Sequence, residues 1–274
     1  LHDGLFVDLA DKSQNIVFNP FSTAKDIVEE NANGDPLEEA NQISFFKNII
    51  IKMAFEDEMP NKSTKGIITE AILETWHKYK LENSVSRIRD YLLTRGKTCE
   101  TSKMMANSLA DYCVLKNGRQ GPYAKFFNGE STIDLSQNQM IFFELAGLKA
   151  HEDLMPVILM SGMHRITQYL EDAPRSIMKL IAVDEAWRHF ASPSTAIFFE
   201  CLARTVRRYR AILMSCSQSL NDWYKNDMGQ GIYENCANRL ILQMEPKAIT
   251  DLEKSKLMLD LFFNYNNKCN RLFK

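Results

Sequence analysis

The chain has 274 residues, 45% of them hydrophobic, and a formal net charge of −2. That length and composition exclude an intrinsically disordered chain, and the near-neutral balance gives no strong nucleic-acid signal. No apolar run approaches the roughly 20 residues that span a bilayer, so at most peripheral membrane association is expected; residues 155–160 and 177–183 are the longest, the second broken by Lys179.

The chain opens on Leu5-Phe6-Val7-Asp8-Leu9, a short strand, then a turn and the apolar stretch 16–21, which ends in Asn19-Pro20-Phe21. His2, Asp3 and Asp8 do not read as part of a signal peptide. Residues 29–36 are polar and turn-rich and mark a boundary. From there the period becomes helical. Phe46, Ile50 and Met53 share one face; Ile68, Ile72, Thr75, Trp76 and Tyr79 form a second stripe; Val85, Ile88 and Leu92 a third, closed by Gly96; Met105, Leu109 and Tyr112 a fourth. Residues 117–129, with three glycines and Pro122, read as the exit loop.

After 130, strands and helices alternate. Residues 140–145 read as a strand and 153–170 as a helix with Pro156 in its first turn. Residues 177–183 form a nearly continuous apolar run, expected of a strand buried on both faces. A helix over 193–209, a strand over 211–215, a helix or broken helix over 221–238, a strand over 240–243 and a last helix over 248–263 complete the series. The expected architecture is α/β, a parallel sheet flanked by helices, with residues 1–35 as its first piece, 36–130 as an all-helical insertion and 131–274 as the main core. Ligands of such sheets bind at the carboxyl ends of the strands.

That edge is where chemistry concentrates. The strand before Asp184-Glu185 ends as a Walker B segment does. An aspartate at the strand tip can hold Mg²⁺ through water, and the glutamate beside it can act as a general base on an attacking water. The next strand ends in Cys216-Ser217-Gln218. Gln218 stands where a polar sensor would, although a glutamine there can also bridge strand ends. Arg204, Arg207, Arg208 and Arg210 fall within seven residues. They can complement a helix dipole as a solvated cluster, act as an arginine finger in a neighbouring subunit, or contact nucleic acid. Glu144 ends its strand, with a structural role open to it, and Asn235 follows the small-residue stretch from Met228. The six cysteines form no C-x-x-C pair and have no histidine at metal-ligand spacing; they read as buried, reduced thiols of a cytoplasmic protein. The five histidines are scattered, and the thirteen methionines read as core filling. The sequence contains no G-x-x-x-x-G-K-[ST] loop, and Ser63-Thr64-Lys65-Gly66 lacks a glycine-rich approach.

Taken in order, several motifs resemble those of the TraC-like ATPases of conjugative transfer and type IV secretion. They are Asn19-Pro20-Phe21, Phe143-Glu144-Leu145-Ala146-Gly147-Leu148, Val183-Asp184-Glu185-Ala186-Trp187, the Arg204–Arg208 cluster, Ser217-Gln218-Ser219-Leu220-Asn221-Asp222, and Gly229-Gln230-Gly231-Ile232 with Asn235. The resemblance implies a RecA-like P-loop NTPase core using ATP and Mg²⁺, assembled as a hexameric ring at the cytoplasmic base of a secretion channel. It implies Asp184 on Mg²⁺, Glu185 as base, Gln218 as sensor, and one of Arg204, Arg207 and Arg208 acting in trans, with Glu144 and Asn235 on the nucleotide side. Members of that family carry a phosphate loop ahead of the segment that begins here at Leu1, and extend past the last helix. Against that pattern the chain reads as cut at both ends, with an unpaired sheet edge and weak ATP binding on its own. It would then serve as an assembly or interaction subunit, as a split ATPase completed by a separate polypeptide carrying the loop, as a degenerate remnant, or as a nucleic-acid motor subunit.

Overall fold

The computed structural model describes residues 4–11, 13–24, 36–56, 58–148, 151–185, 199–200, 202–219, 223, 227–236 and 238–240. The described residues form two compact units, divided between Ile177 and Met178.

In the first unit, β1 (Gly4–Asp8) pairs in parallel with β2 (Met140–Glu144), from Gly4 opposite Met140 to Asp8 opposite Glu144. Parallel neighbours need a long crossover, and here it is largely helical: α1 (Pro36–Phe55), α2 (Lys62–Tyr79), α3 (Val85–Arg95) and α4 (Glu100–Ser108). The four expected stripes fall on these elements, with Leu109 and Tyr112 on a 3-10 turn that continues α4. Their apolar members are buried, apart from Tyr79 at the end of α2, which is half-buried. Asn61 caps α2 by accepting the Thr64 N–H at 2.9 Å, satisfying one orphan donor of the first turn. Gly96 follows α3 because α4 crosses close by: a Cβ there would meet the Lys103 Cβ at 3.0 Å.

The exit loop contains more structure than its glycines suggest. Val114 and Gln120 form an isolated antiparallel bridge, and α5 (Ala124–Phe127) buries Phe126 and Phe127. Residues 16–19 are not strand; Ile16, Val17 and Phe18 are buried, and Pro20–Thr23 is a 3-10 turn. There Phe21 stacks on Phe46 of α1, with ring centroids 4.5 Å apart. α6 (Leu154–Asp172) lies against α1, where the His164 ring stacks on Phe45 at 3.6 Å.

In the second unit, β3 (Lys179–Val183) and β4 (Ala211–Ser215) pair in parallel, from Lys179 opposite Ala211 to Val183 opposite Ser215. Residues 202–205 are helical and pass into a 3-10 turn, Val206–Tyr209; α7 (Asp227–Asn235) follows β4. The expectation of a strand buried on both faces is corrected. Leu180, Ile212 and Met214 are 62%, 51% and 46% exposed and share one face with Ala182. An apolar run specifies two apolar faces, but a neighbouring element decides whether each is covered. Lys179, the cation within that run, is buried, with Nζ donating to the Tyr209 carbonyl at 3.2 Å.

The boundary at 29–35, the strand positions 241–243 and the helix over 248–263 lie outside the described residues. Among those described, no helix is long and apolar enough to cross a membrane.

Candidate nucleotide site

Three of the expected site residues, Asp184, Glu185 and Gln218, stand at the carboxyl edge of β3 and β4. The pairing continues past the strands, with the Cys216 N–H donating to the Val183 carbonyl at 2.9 Å. This fixes the two strand ends side by side, each followed by a turn. After β3, Asp184 Oδ1 accepts the Glu185 N–H at 2.9 Å, and Glu185 adopts φ 50°. That left-handed conformation is uncommon for a residue with a side chain and clusters at functional sites. After β4, Ser217 Oγ donates to the Ser219 carbonyl at 3.0 Å and accepts its N–H at 3.3 Å, closing a turn with Gln218 at its apex. Across the gap, Gln218 Nε2 donates to Glu185 Oε1.

Asp184, Glu185 and Gln218 therefore converge, as their strand positions require. Ser217 was not among the sequence candidates. A serine two residues before another turn residue was the available signal, but sequence alone does not show which amide the hydroxyl takes. Asp184 is exposed at the strand tip. One exposed carboxylate suits Mg²⁺, which keeps most of its waters and takes its remaining oxygens from substrate phosphates. No group of three or more His, Cys, Asp or Glu able to hold a metal occurs among the described residues.

The remaining candidates make other contacts. Arg207 and Arg208 are exposed on the 3-10 turn that enters β4. They are therefore at the opposite end of the strand pair from Glu185, with the five-residue length of β4 between, about 16 Å at roughly 3.3 Å per residue. Arg204 forms an ion pair with Glu200 one helical turn earlier. On α7, a Cβ at Gly231 would lie 3.3 Å from Glu200 Oε1, so the missing side chain leaves room for that carboxylate. Asn235 donates to the Gly231 carbonyl at 2.7 Å, closing the last turn of α7. In the first unit, Glu144 Oε1 accepts the Ala146 N–H at 2.6 Å, the same turn-capping contact that Asp8 makes to Ala10 at 2.9 Å on the neighbouring strand.

The expectation of buried thiols holds for Cys113 and is corrected for Cys216. Cys99, Cys113, Cys216 and Cys236 are free; Cys113 is buried, Cys216 exposed, and the other two intermediate. Burial pushes the Cys113 thiol up to about 12. Cys201 and Cys269 lie outside the described residues. Sequence spacing also gave no special standing to His164. It is half-buried overall; its Nε2 is buried and has no hydrogen-bond partner among the described residues, and desolvation pushes its pKa down to about 3.

A family profile described as "TraG P-loop domain" matches residues 1–262. Among curated proteins, Protein TraC of Escherichia coli is 23% identical over 257 residues, covering 89% of this chain and 27% of TraC. The type IV secretion system protein CagE of Helicobacter pylori is 22% identical over 245 residues, covering 86% of this chain and 24% of CagE. The chain thus spans about a quarter of the length of these relatives. Among solved structures, VirB4 of Thermoanaerobacter pseudethanolicus superposes with a TM-score of 0.70 at 16% identity, covering 94% of this chain and 68% of that one, a likeness of fold. The motif resemblance and the profile match converge: this chain belongs to the TraG P-loop domain family, the family of TraC-like type IV secretion proteins.

Proposed function

We propose that this chain carries the Walker B and sensor half of the nucleotide site of a type IV secretion ATPase. The observation that carries the reading is the convergence of Asp184, Glu185 and Gln218 at the carboxyl edge of a parallel strand pair, with the Gln218 amide on the Glu185 carboxylate. In this reading Asp184 orients the water shell of Mg²⁺, which when bound would neutralise charge on the phosphates. Glu185 takes a proton from water as its oxygen bonds to the terminal phosphorus and the bond to the leaving diphosphate breaks. Arg207 and Arg208, at the far end of β4, would serve a neighbouring copy in a ring. Arg204 is the weakest finger candidate, since Glu200 already holds it. Residues 36–130 would form the helical insertion of the motor, and channel components its partners.

The sequence holds no phosphate-cradling loop. In this reading the loop is supplied from outside these 274 residues, which by themselves bind ATP weakly. Calorimetry with Mg-ATP, with turnover followed in the same samples, tests both. Weak binding by residues 1–274 alone, restored when a loop-bearing segment is present and lost in Asp184→Asn, is the expected result. Submicromolar binding by the isolated chain, unchanged in Asp184→Asn, would sink the proposal.

A further inference from the structure

Gln218 is aimed by its own loop. The Ser217–Ser219 turn puts it at an apex, and the Cys216 to Val183 hydrogen bond brings that apex beside the end of β3. Glu185 is turned to meet it. Its N–H is taken by the Asp184 carboxylate, and its left-handed backbone carries its side chain to the Gln218 loop. The engaged groups are the two that the proposed chemistry needs separately. One is the carboxylate oxygen that would accept a proton from water. The other is the amide donor that would meet a phosphate oxygen.

Resting on the ATPase reading of Asp184 and Glu185, we propose that Gln218 is a positioning residue for Glu185, latching the carboxylate away from water until a bound phosphate competes for its amide. The Gln218 side chain has one carbonyl and one NH₂ group, and the donor acts on whichever anion is presented. A hydrogen bond to a carboxylate is charge-assisted and favours one fixed orientation. A terminal phosphate brings more negative charge to the same place and draws the amide off. With nucleotide bound, the amide divides between the phosphate and Glu185, and the carboxylate is free to meet the water for about a tenth of the time. The latch ties hydrolysis to occupancy and suppresses futile proton transfer in the empty site. Ser217 serves the same end by holding the turn.

The test is steady-state ATP turnover by the full-length protein with Gln218→Leu, Gln218→Asn and Glu185→Gln. Gln218→Leu removes the donor and keeps most of the bulk. The expected result is a rise in kcat of about tenfold, equivalent to about 1.4 kcal/mol, at unchanged KM for ATP. Gln218→Asn keeps an amide on a shorter stem and falls between Leu and the parent. Glu185→Gln abolishes turnover in either background. A lower kcat, a raised KM or no change in Gln218→Leu overturns the latch, the first two outcomes placing Gln218 on the nucleotide itself. Parent-level turnover in Glu185→Gln, or none in the parent protein, defeats the underlying ATPase reading instead. A second readout is independent of activity. In the nucleotide-free protein the side-chain amide NMR signals of Gln218 move on Glu185→Ala, and unmoved signals refute the latch by themselves.

Discussion

Replacing Asn19 with alanine removes three contacts at one buried point. Its Nδ2 donates to the Asn83 carbonyl at 2.9 Å and to the Gly129 carbonyl at 2.8 Å, and its Oδ1 accepts the Phe21 N–H at 3.2 Å. One side chain thereby ties the segment after β1 to the loop between α2 and α3 and to the exit loop. Asn19 is 2% exposed, and Phe21 and Asn83 are fully buried, so water cannot replace the contacts at those two. Gly129 is exposed, and its carbonyl can be rehydrated. Two stranded polar groups, at about 1–3 kcal/mol each before relaxation, give an expected loss of about 2–4 kcal/mol. Asn19→Asp sharpens the test. It keeps the acceptor for Phe21 but sets a carboxylate against two carbonyl oxygens, so at neutral pH it should be at least as destabilised as the alanine variant. The assay is urea unfolding followed by far-ultraviolet circular dichroism, read as the midpoint at unchanged slope. A loss below about 1 kcal/mol in Asn19→Ala, or Asn19→Asp more stable than Asn19→Ala, would refute this account.

His164 predicts an acid-sensitive stability. Its folded pKa is depressed from 6.5 to about 3, so below pH 6.5 the unfolded chain binds a proton that the folded chain does not. Stability is then full above about pH 6.5 and falls with pH down to about 3, by about 1.4 kcal/mol per unit. His164→Phe keeps an aromatic ring against Phe45 and should flatten that slope, measured as urea midpoints at pH 7 and pH 5. Thiol labelling should separate the cysteines. Exposed Cys216 should react with iodoacetamide within minutes, whereas Cys113, buried and with its thiol pushed up to about 12, should react only as the chain unfolds. Mass spectrometry of the digest reads both, and equal rates would contradict the burial of Cys113.

The helical stripes were legible in the sequence because burial on one face of a helix repeats at its own period, as Ile68, Ile72 and Trp76 show on α2. The candidate site was partly legible for a related reason. A strand delivers its last residue to a known edge, so Asp184, Glu185 and Gln218 could be placed there before any contact was known. The motifs around them, Val183–Trp187 and Ser217–Asp222, taken in order with Asn19-Pro20-Phe21 and the others, also suggested the family. Other features required the fold. That Glu144 caps a turn and that Glu200 holds Arg204 depend on side-chain geometry that spacing does not encode. The fold also decided which apolar faces are covered and which histidine has a buried ring nitrogen. The chain by itself determined local period, which residues stand at the strand edge, and family. Only the tertiary structure decided which polar groups meet, because that depends on segments brought together across more than a hundred residues, as Asn19 and Gly129 are.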